Sequence, residues 1–318
     1  MDVSPGRGPC PHHHSARVFL QGLGGVYLLA FVSLWLQITG LIGQEGILPA
    51  TLTLEQASQV LGRWAWWELP SVFWLSSSDL WLNLGCAVGA GLALLVLFGR
   101  GLHGWVFLLL WSLYLSFCSI SGPFLGYQWD VLLLETGLLA VFLRDRQQRT
   151  FRITWWLLRL LLVKLLFLSG MVKLTSGDAS WWNLTALQVH FESQPLPGPL
   201  SWWVHHFPVT LLKLGVVFTL TVEILLPFLA FGSARARVWL AAWTVVFMGV
   251  ISATGNYGFF NLLTVLLCLS LLEDVHLPAS WRSREGLPPA GQAWSIRILG
   301  AAILCLSFFQ VTRSWHCK

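Results

Sequence analysis

Nine stretches of this chain are apolar for about as long as a bilayer is thick, and that spacing constrains the fold more than any other feature. They lie at about 18–38, 80–98, 103–121, 126–143, 153–172, 208–231, 236–254, 257–272 and 294–311. A helix needs roughly 17–25 apolar residues to cross a hydrocarbon core. Such blocks predict an all-α, polytopic helical transmembrane bundle of about nine spans. The 126–143 block is short and carries acids, and the 257–272 block is barely long enough.

Composition excludes the soluble alternative. Only 10% of the residues are charged, against about 25% in an average soluble protein, which is too few to clothe a water-facing surface. The 20 tryptophans suit a protein with many membrane boundaries, because indole favours the headgroup layer. The net charge of +5 is carried by short basic flanks between apolar blocks. These read as topology signals, and nucleic acid is not an expected partner. The six cysteines include no CxxC pair, so neither a disulfide framework nor a zinc site is expected.

The basic flanks give an orientation. A cytosolic N-terminal tail (1–17) places Arg100, the Arg144–Arg152 connection, Arg235 with Arg237, and Arg282 with Arg284 on the cytosolic side. Arg63, Lys173 and Lys213 fall in or beside the longer connections opposite. This is the bias the positive-inside rule describes. The first block reads as an uncleaved signal anchor, since it runs on without a small-residue cleavage site. Two long lumenal loops follow, at about 39–79 and 173–207, and a short lumenal tail at 312–318. In the first loop TLTLEQASQVLG suits a short helix and WAWWELPSVFWL an interfacial segment. The second holds Asn183-Leu184-Thr185, the only N-x-[ST] sequon, which makes Asn183 a glycosylation candidate. SWRSREGLPPAGQ (280–292) reads as a cytosolic linker loop.

Ionisable groups at membrane depth are costly unless paired or hydrated, so they mark candidate sites. They are Asp130, Glu135, Arg159, Lys164 and Glu223, with Lys173 close by. Counting residues from the ends of straight helices at 1.5 Å each brings Glu135 level with Lys164, Glu223 level with Arg159, and Asp130 level with Lys173. These three matches are the expected pairs. The pairs either fix helix packing or line a substrate or proton path, and Arg159 alone also suits snorkelling to the headgroups. His12–His14 beside Cys10 read as a polar tail or a metal site. His205 and His206 read as interfacial packing or catalysis. The i, i+2 spacing of His190 and Glu192 suits no helical metal site. No Gly-rich phosphate loop, GxSxG or HExxH is present, and no cofactor is expected.

Several stretches resemble the lipase maturation factor family. They are LWLQITGLIGQEGILPA (34–50), GYQWDVLLLETGLLAVFL (126–143), SGMVKLTSGDASWWNLTALQVHFESQPLPGPLSWWVHHFP (169–208), VEILLPF (222–228) and SATGNYGFFNLLTVLLCLSLLEDVHL (252–277). VKLTSGD and GNYGFFNL look closer to the second of the family's paralogues. The resemblance implies a polytopic protein of the endoplasmic reticulum that helps secreted lipases of the lipoprotein lipase type fold and dimerise. Secreted lipases would be its clients and membrane lipids its surroundings, with no catalytic residue to carry over. Family members continue into a large lumenal domain, whereas this sequence ends at VTRSWHCK. The WD…LLLE pattern also distantly resembles the vitamin K-dependent carboxylase group. That alternative is a membrane enzyme using Lys164, Lys173 or His190. A scaffold or transporter is a third reading, without a visible inverted repeat.

Overall fold

The computed structural model describes residues 12–144 and 151–277. The expected span at 294–311, the loop at 280–292, the tail at 312–318 and most of the N-terminal tail lie outside the described residues. Within them the chain is helical, with no named strand among the described residues and an isolated antiparallel bridge from Pro197 to Gly255.

Four helices are both long and apolar enough to cross a membrane: α1 (His13–Trp35), α5 (Asp79–Leu97), the segment Val209–Phe231 and α13 (Ala234–Thr254). Their ends fall within a few residues of the apolar blocks that announce them, except that α1 starts five residues before its block. The other expected spans form helices that are shorter or more charged. They are α6 (Gly104–Ile120), α7 (Gln128–Val141), α8 (Arg152–Thr175) and α14 (Phe260–Leu267), which runs on as a 3-10 turn to Leu271. α8 is long enough to cross, at 24 residues, but carries Arg152, Arg159, Lys164 and Lys173. The two long connections are built of short helices. α2 (Ile38–Ile42), α3 (Ala50–Leu61) and α4 (Ala65–Glu68) fill the first. α9 (Ala179–Trp182), α10 (Ala186–Ser193) and α11 (Ser201–His205) fill the second.

The core begins where α1 lies against α5. Hydrocarbon gives helices no hydrophobic reason to associate, so small residues that allow close backbone approach matter. Gly85, Gly89 and Ala93 repeat every four residues along one face of α5. Phe31 of α1 packs over Gly89, and Phe73 and Phe117 pack over Gly85. On the α1 side, a methyl group on Gly24 would stand 2.9 Å from Leu97 N and 3.0 Å from Ala93 O. Tyr27, Phe31, Tyr114, Phe117 and Phe73 then form one buried aromatic column; Phe31 meets Tyr114 edge-on at 5.6 Å and Phe73 meets Phe117 at 4.7 Å. The outward faces carry exposed Leu84, Val88, Leu95, Leu214, Val217 and Val250, an arrangement suited to lipid.

The two ends of the bundle close differently. At one end the Asp274 carboxylate accepts from His14 N (3.1 Å), Ser15 N (2.8 Å) and Ser15 Oγ (2.8 Å). This caps the free N–H groups of α1 with a residue 260 positions away. His12 is held here too: Nδ1 donates to Leu272 O at 3.1 Å and the ring stacks on Trp155. His12 is therefore packed against the bundle, and its neutral form is favoured by burial. At the other end, α14 is too short. From Phe260 to Leu271 it rises about 18 Å, less than the roughly 30 Å of a hydrocarbon core. The 196–200 segment packs on the connection that leads into α14. Asn256 N donates to Leu196 O, Gly198 N to Thr254 O and Leu200 N to Ala253 O, at 3.0–3.3 Å. The irregular backbone of both segments is thereby satisfied within the protein.

The α1–α5 contact is directly testable. Replacing Gly24 by Leu should lower the thermal unfolding midpoint of the detergent-solubilised chain, at an overpacking cost of about 1–3 kcal/mol. Gly91, which has nothing within 4 Å of an added methyl, should accept Ala with no measurable loss.

Candidate functional site

The membrane-depth charges converge on α8. Three of its four cations sit at positions 159, 164 and 173, spacings of five and nine residues. At 3.6 residues per turn Lys164 points about 140° and 180° away from Arg159 and Lys173, which share a face but stand about 21 Å apart along the axis, so each meets a different neighbour. Each neighbour supplies an acceptor. Lys164 forms an ion pair with Glu135 of α7. Lys173 Nζ donates to Glu223 Oε1 at 2.8 Å. Arg159 donates through Nε and Nη2 to the carbonyl of Ser270, at 3.2 and 3.0 Å, and its guanidinium lies 4.9 Å from the centre of the Trp156 ring.

Two of the three expected pairings therefore differ. Glu223 meets Lys173 in place of Arg159, and Asp130 does not meet Lys173. The reason for the first is local. Val209–Phe231 is not one regular helix: α12 (Val209–Leu220) leads into a π-helical turn at Thr221–Leu225 and a 3-10 turn at Leu226–Phe231. Pro227 stands four residues after Glu223. It offers no N–H to the Glu223 carbonyl and its ring crowds that carbonyl, so the helix widens there. Gly170 of α8 lets the widened turn approach closely; a methyl group there would lie 3.0 Å from Glu223 Cβ. The turn is thus level with the 170–173 end of α8, and counting along a straight helix misplaces it. Arg159 lies level with the end of α14 instead.

Asp130 is saturated by its own surroundings. It is buried at the start of α7 and accepts from Tyr114 Oη (2.5 Å), Gly126 N (3.0 Å) and Tyr127 N (3.0 Å). It works as a helix cap tied to α6. A Tyr hydroxyl and two turn amides leave little for a lysine to add.

Around Lys173 the loop helices add further polar groups. The Lys173 ammonium is 5.4 Å from the Trp181 ring centre and also reaches Ser169 O at 3.3 Å. His190 of α10 lies 3.4 Å from the Tyr257 hydroxyl. Burial, and then the nearby Lys173 charge, lower the His190 pKa and favour the neutral ring. Two polar pairs, Glu223 with Lys173 and His190 with Tyr257, thus lie near enough for the Lys173 charge to act on His190. Neither Pro227's effect on Glu223 nor the role of Tyr257 is foreseen from the sequence, although a proline four residues after an intramembrane acid is a usable signal.

The remaining candidates stay apart. Glu192 is exposed, and no group of three or more metal-ligating side chains occurs among the described residues. His206 Nδ1 lies 2.7 Å from Trp202 O, and His13 lies against Arg144. Asn183 is exposed at the end of α9, with Leu184 beside it in the left-handed region (φ 58°).

Comparison with known proteins gives the bundle its relatives. The lipase maturation factor transmembrane domain matches residues 14–279. This chain belongs to the lipase maturation factor family. It is 43% identical to lipase maturation factor 2 of Rattus norvegicus over 298 residues, covering 83% of this chain and 41% of that protein. Lipase maturation factor 2 of Xenopus laevis is 40% identical over 329 residues, covering 96% and 46%. Human lipase maturation factor 1 is less similar, at 30% over 307 residues, covering 89% and 54%. The chain thus spans less than half the length of the lipase maturation factor 2 proteins it matches. No solved structure gives a significant match.

A double-mutant cycle distinguishes the pairings. Lys173→Met alone leaves the 7%-exposed Glu223 side chain without its cation and should destabilise the chain by about 3 kcal/mol. Lys173→Met with Glu223→Met should recover most of that loss. The same cycle between Arg159 and Glu223 should show additive effects within about 0.5 kcal/mol.

Proposed function

We propose that this chain is the membrane part of a machinery that matures secreted lipases of the lipoprotein lipase type. The match of the family's transmembrane domain across residues 14–279, polar loops included, carries this reading. The relatives are named as maturation factors, and the carboxylase-like reading of Lys164, Lys173 and His190 gives way to that. The geometry fits a scaffold. The three α8 cations are each engaged by a carboxylate or carbonyl of another helix, which suits groups that hold helices in register.

The proposed setting is the endoplasmic reticulum membrane, with about nine spans, the N-terminus cytosolic, and the 39–79 and 173–207 connections in the lumen. Exposed Trp64, Trp66 and Trp67 in the first and Trp202 and Trp203 in the second suit the headgroup layer on that side. A glycan on Asn183 follows from this orientation. Endoglycosidase treatment of microsomes should speed the migration of the chain on a gel, and Asn183→Gln should remove the shift. An unmodified Asn183 with a glycan accepted at a sequon engineered near Arg100 would reverse the orientation.

The role itself is tested by secreted lipase activity per unit of lipase mass in cells lacking their own maturation factors. A chimera of this chain with the remaining half of lipase maturation factor 2 should restore activity. The same half fused to an unrelated multi-span anchor should not. Equal rescue by both would reduce the bundle to an anchor, and no rescue by either would contradict the proposal.

A further inference from the structure

Glu223 has one carboxylate oxygen in use and one idle. Oε1 takes the Lys173 ammonium, whereas Oε2 is buried and meets no donor among the described residues. A buried acceptor without a donor is costly, and here the backbone holds the group in place. The π turn set by Pro227 and the bare Gly170 seat the carboxylate against α8, so it does not relax toward another partner.

We propose that the Glu223–Lys173 junction binds the free hydroxyl of a neutral lipid, a diacylglycerol or a sterol, with the hydroxyl donating to Glu223 Oε2. This goes beyond the maturation role and stands whether or not that role holds.

Charge selects the ligand class. The carboxylate and ammonium together are neutral, and an added ammonium would crowd the Lys173 ammonium 2.8 Å from Oε1. A neutral donor meets no such repulsion. Burial selects it again. The Glu223 side chain is only 7% exposed, so a phosphate headgroup brought against it would be desolvated at great cost, whereas an alcohol loses only hydrogen bonds that Glu223 replaces. The approach is from the bilayer. Val172, Leu225 and Phe228, beside the pair in sequence, are 63%, 64% and 56% exposed, and the Lys173 side chain is 24% exposed. Phe228 packs edge-on against Phe167 at 5.6 Å, giving an apolar wall beside the turn for acyl chains or a ring system.

The test uses the full chain in phosphatidylcholine nanodiscs, labelled with a diazirine diacylglycerol or a diazirine sterol and mapped by mass spectrometry. Cross-links should fall within 167–173 or 221–228. Excess unlabelled alcohol should compete, and triacylglycerol or the sterol methyl ether, which lack the donor, should compete about tenfold less well, as one hydrogen bond to a charged group implies. The alcohol that competes identifies the source. Lys173→Met/Glu223→Met, which stays neutral and similar in size, should lose the label while eluting as a single folded species. Equal competition by the methyl ether or triacylglycerol would overturn the proposal, as would label persisting in the double variant. Labelling confined to other segments would also overturn it and leave a buried water as the partner of Oε2. The competition arm uses the unmodified chain, so it decides the matter even if the double variant fails to fold.

Discussion

The bundle depends on one helix that is too polar to enter a membrane alone. α8 carries Arg159, Lys164 and Lys173 along its length, and each lysine or arginine at the centre of an isolated helix costs at least about 2.5 kcal/mol in a bilayer. The helix is tolerable only when other elements supply acceptors, and here three do: the α14 end through Ser270, α7 through Glu135, and the π turn through Glu223. Lys164 points away from Arg159 and Lys173, and those two stand about 21 Å apart along the axis, so each acceptor fixes a different neighbour. Hydrocarbon gives helices no hydrophobic reason to associate; three specific polar contacts set which elements face α8 and at what level. α8 therefore acts as the reference against which the surrounding helices are set.

The remaining features serve or follow that arrangement. Pro227 and Gly170 bring Glu223 to the level of Lys173, at the cost of helix regularity. The short α14 places the Ser270 carbonyl beside Arg159, and the 196–200 segment hydrogen-bonds to the backbone that joins α13 to α14. Asp274, just past α14, then caps α1, and α1 closes on the small-residue face of α5. The last link lies in packing, the first in electrostatics, and the chain between them passes through each end of the bundle.

Much of the architecture is legible in the sequence because it rests on one-dimensional signals. The apolar blocks announce α1, α5, α12 and α13, and TLTLEQASQVLG announces α3 (Ala50–Leu61). Depth counting brings Glu135 level with Lys164, and the structure joins them, because α7 and α8 are adjacent in sequence and regular over the stretch counted. The same count pairs Glu223 with Arg159 and fails. It assumes 1.5 Å per residue along a straight axis, and a π turn followed by a 3-10 turn obeys neither assumption. Asp130 is missed for another reason: its partners are Tyr114 and two turn amides, and neutral donors are invisible to a search for opposite charges. The neutral, packed state of His12 likewise depends on Leu272 and Trp155, more than a hundred residues away.

The level of the π turn against α8 carries the whole account, and disulfide trapping measures it most directly. In a cysteine-free background, Gly170→Cys with Ile224→Cys puts two thiols at a contact where a Cβ added at Gly170 would lie 2.5 Å from Ile224 Cγ1, within the reach of a disulfide. The account predicts rapid cross-linking of this pair in native membranes under mild oxidation, and none between Arg159→Cys and Glu223→Cys. Cross-linking at 159–223 with none at 170–224 would place Glu223 against Arg159 and contradict it.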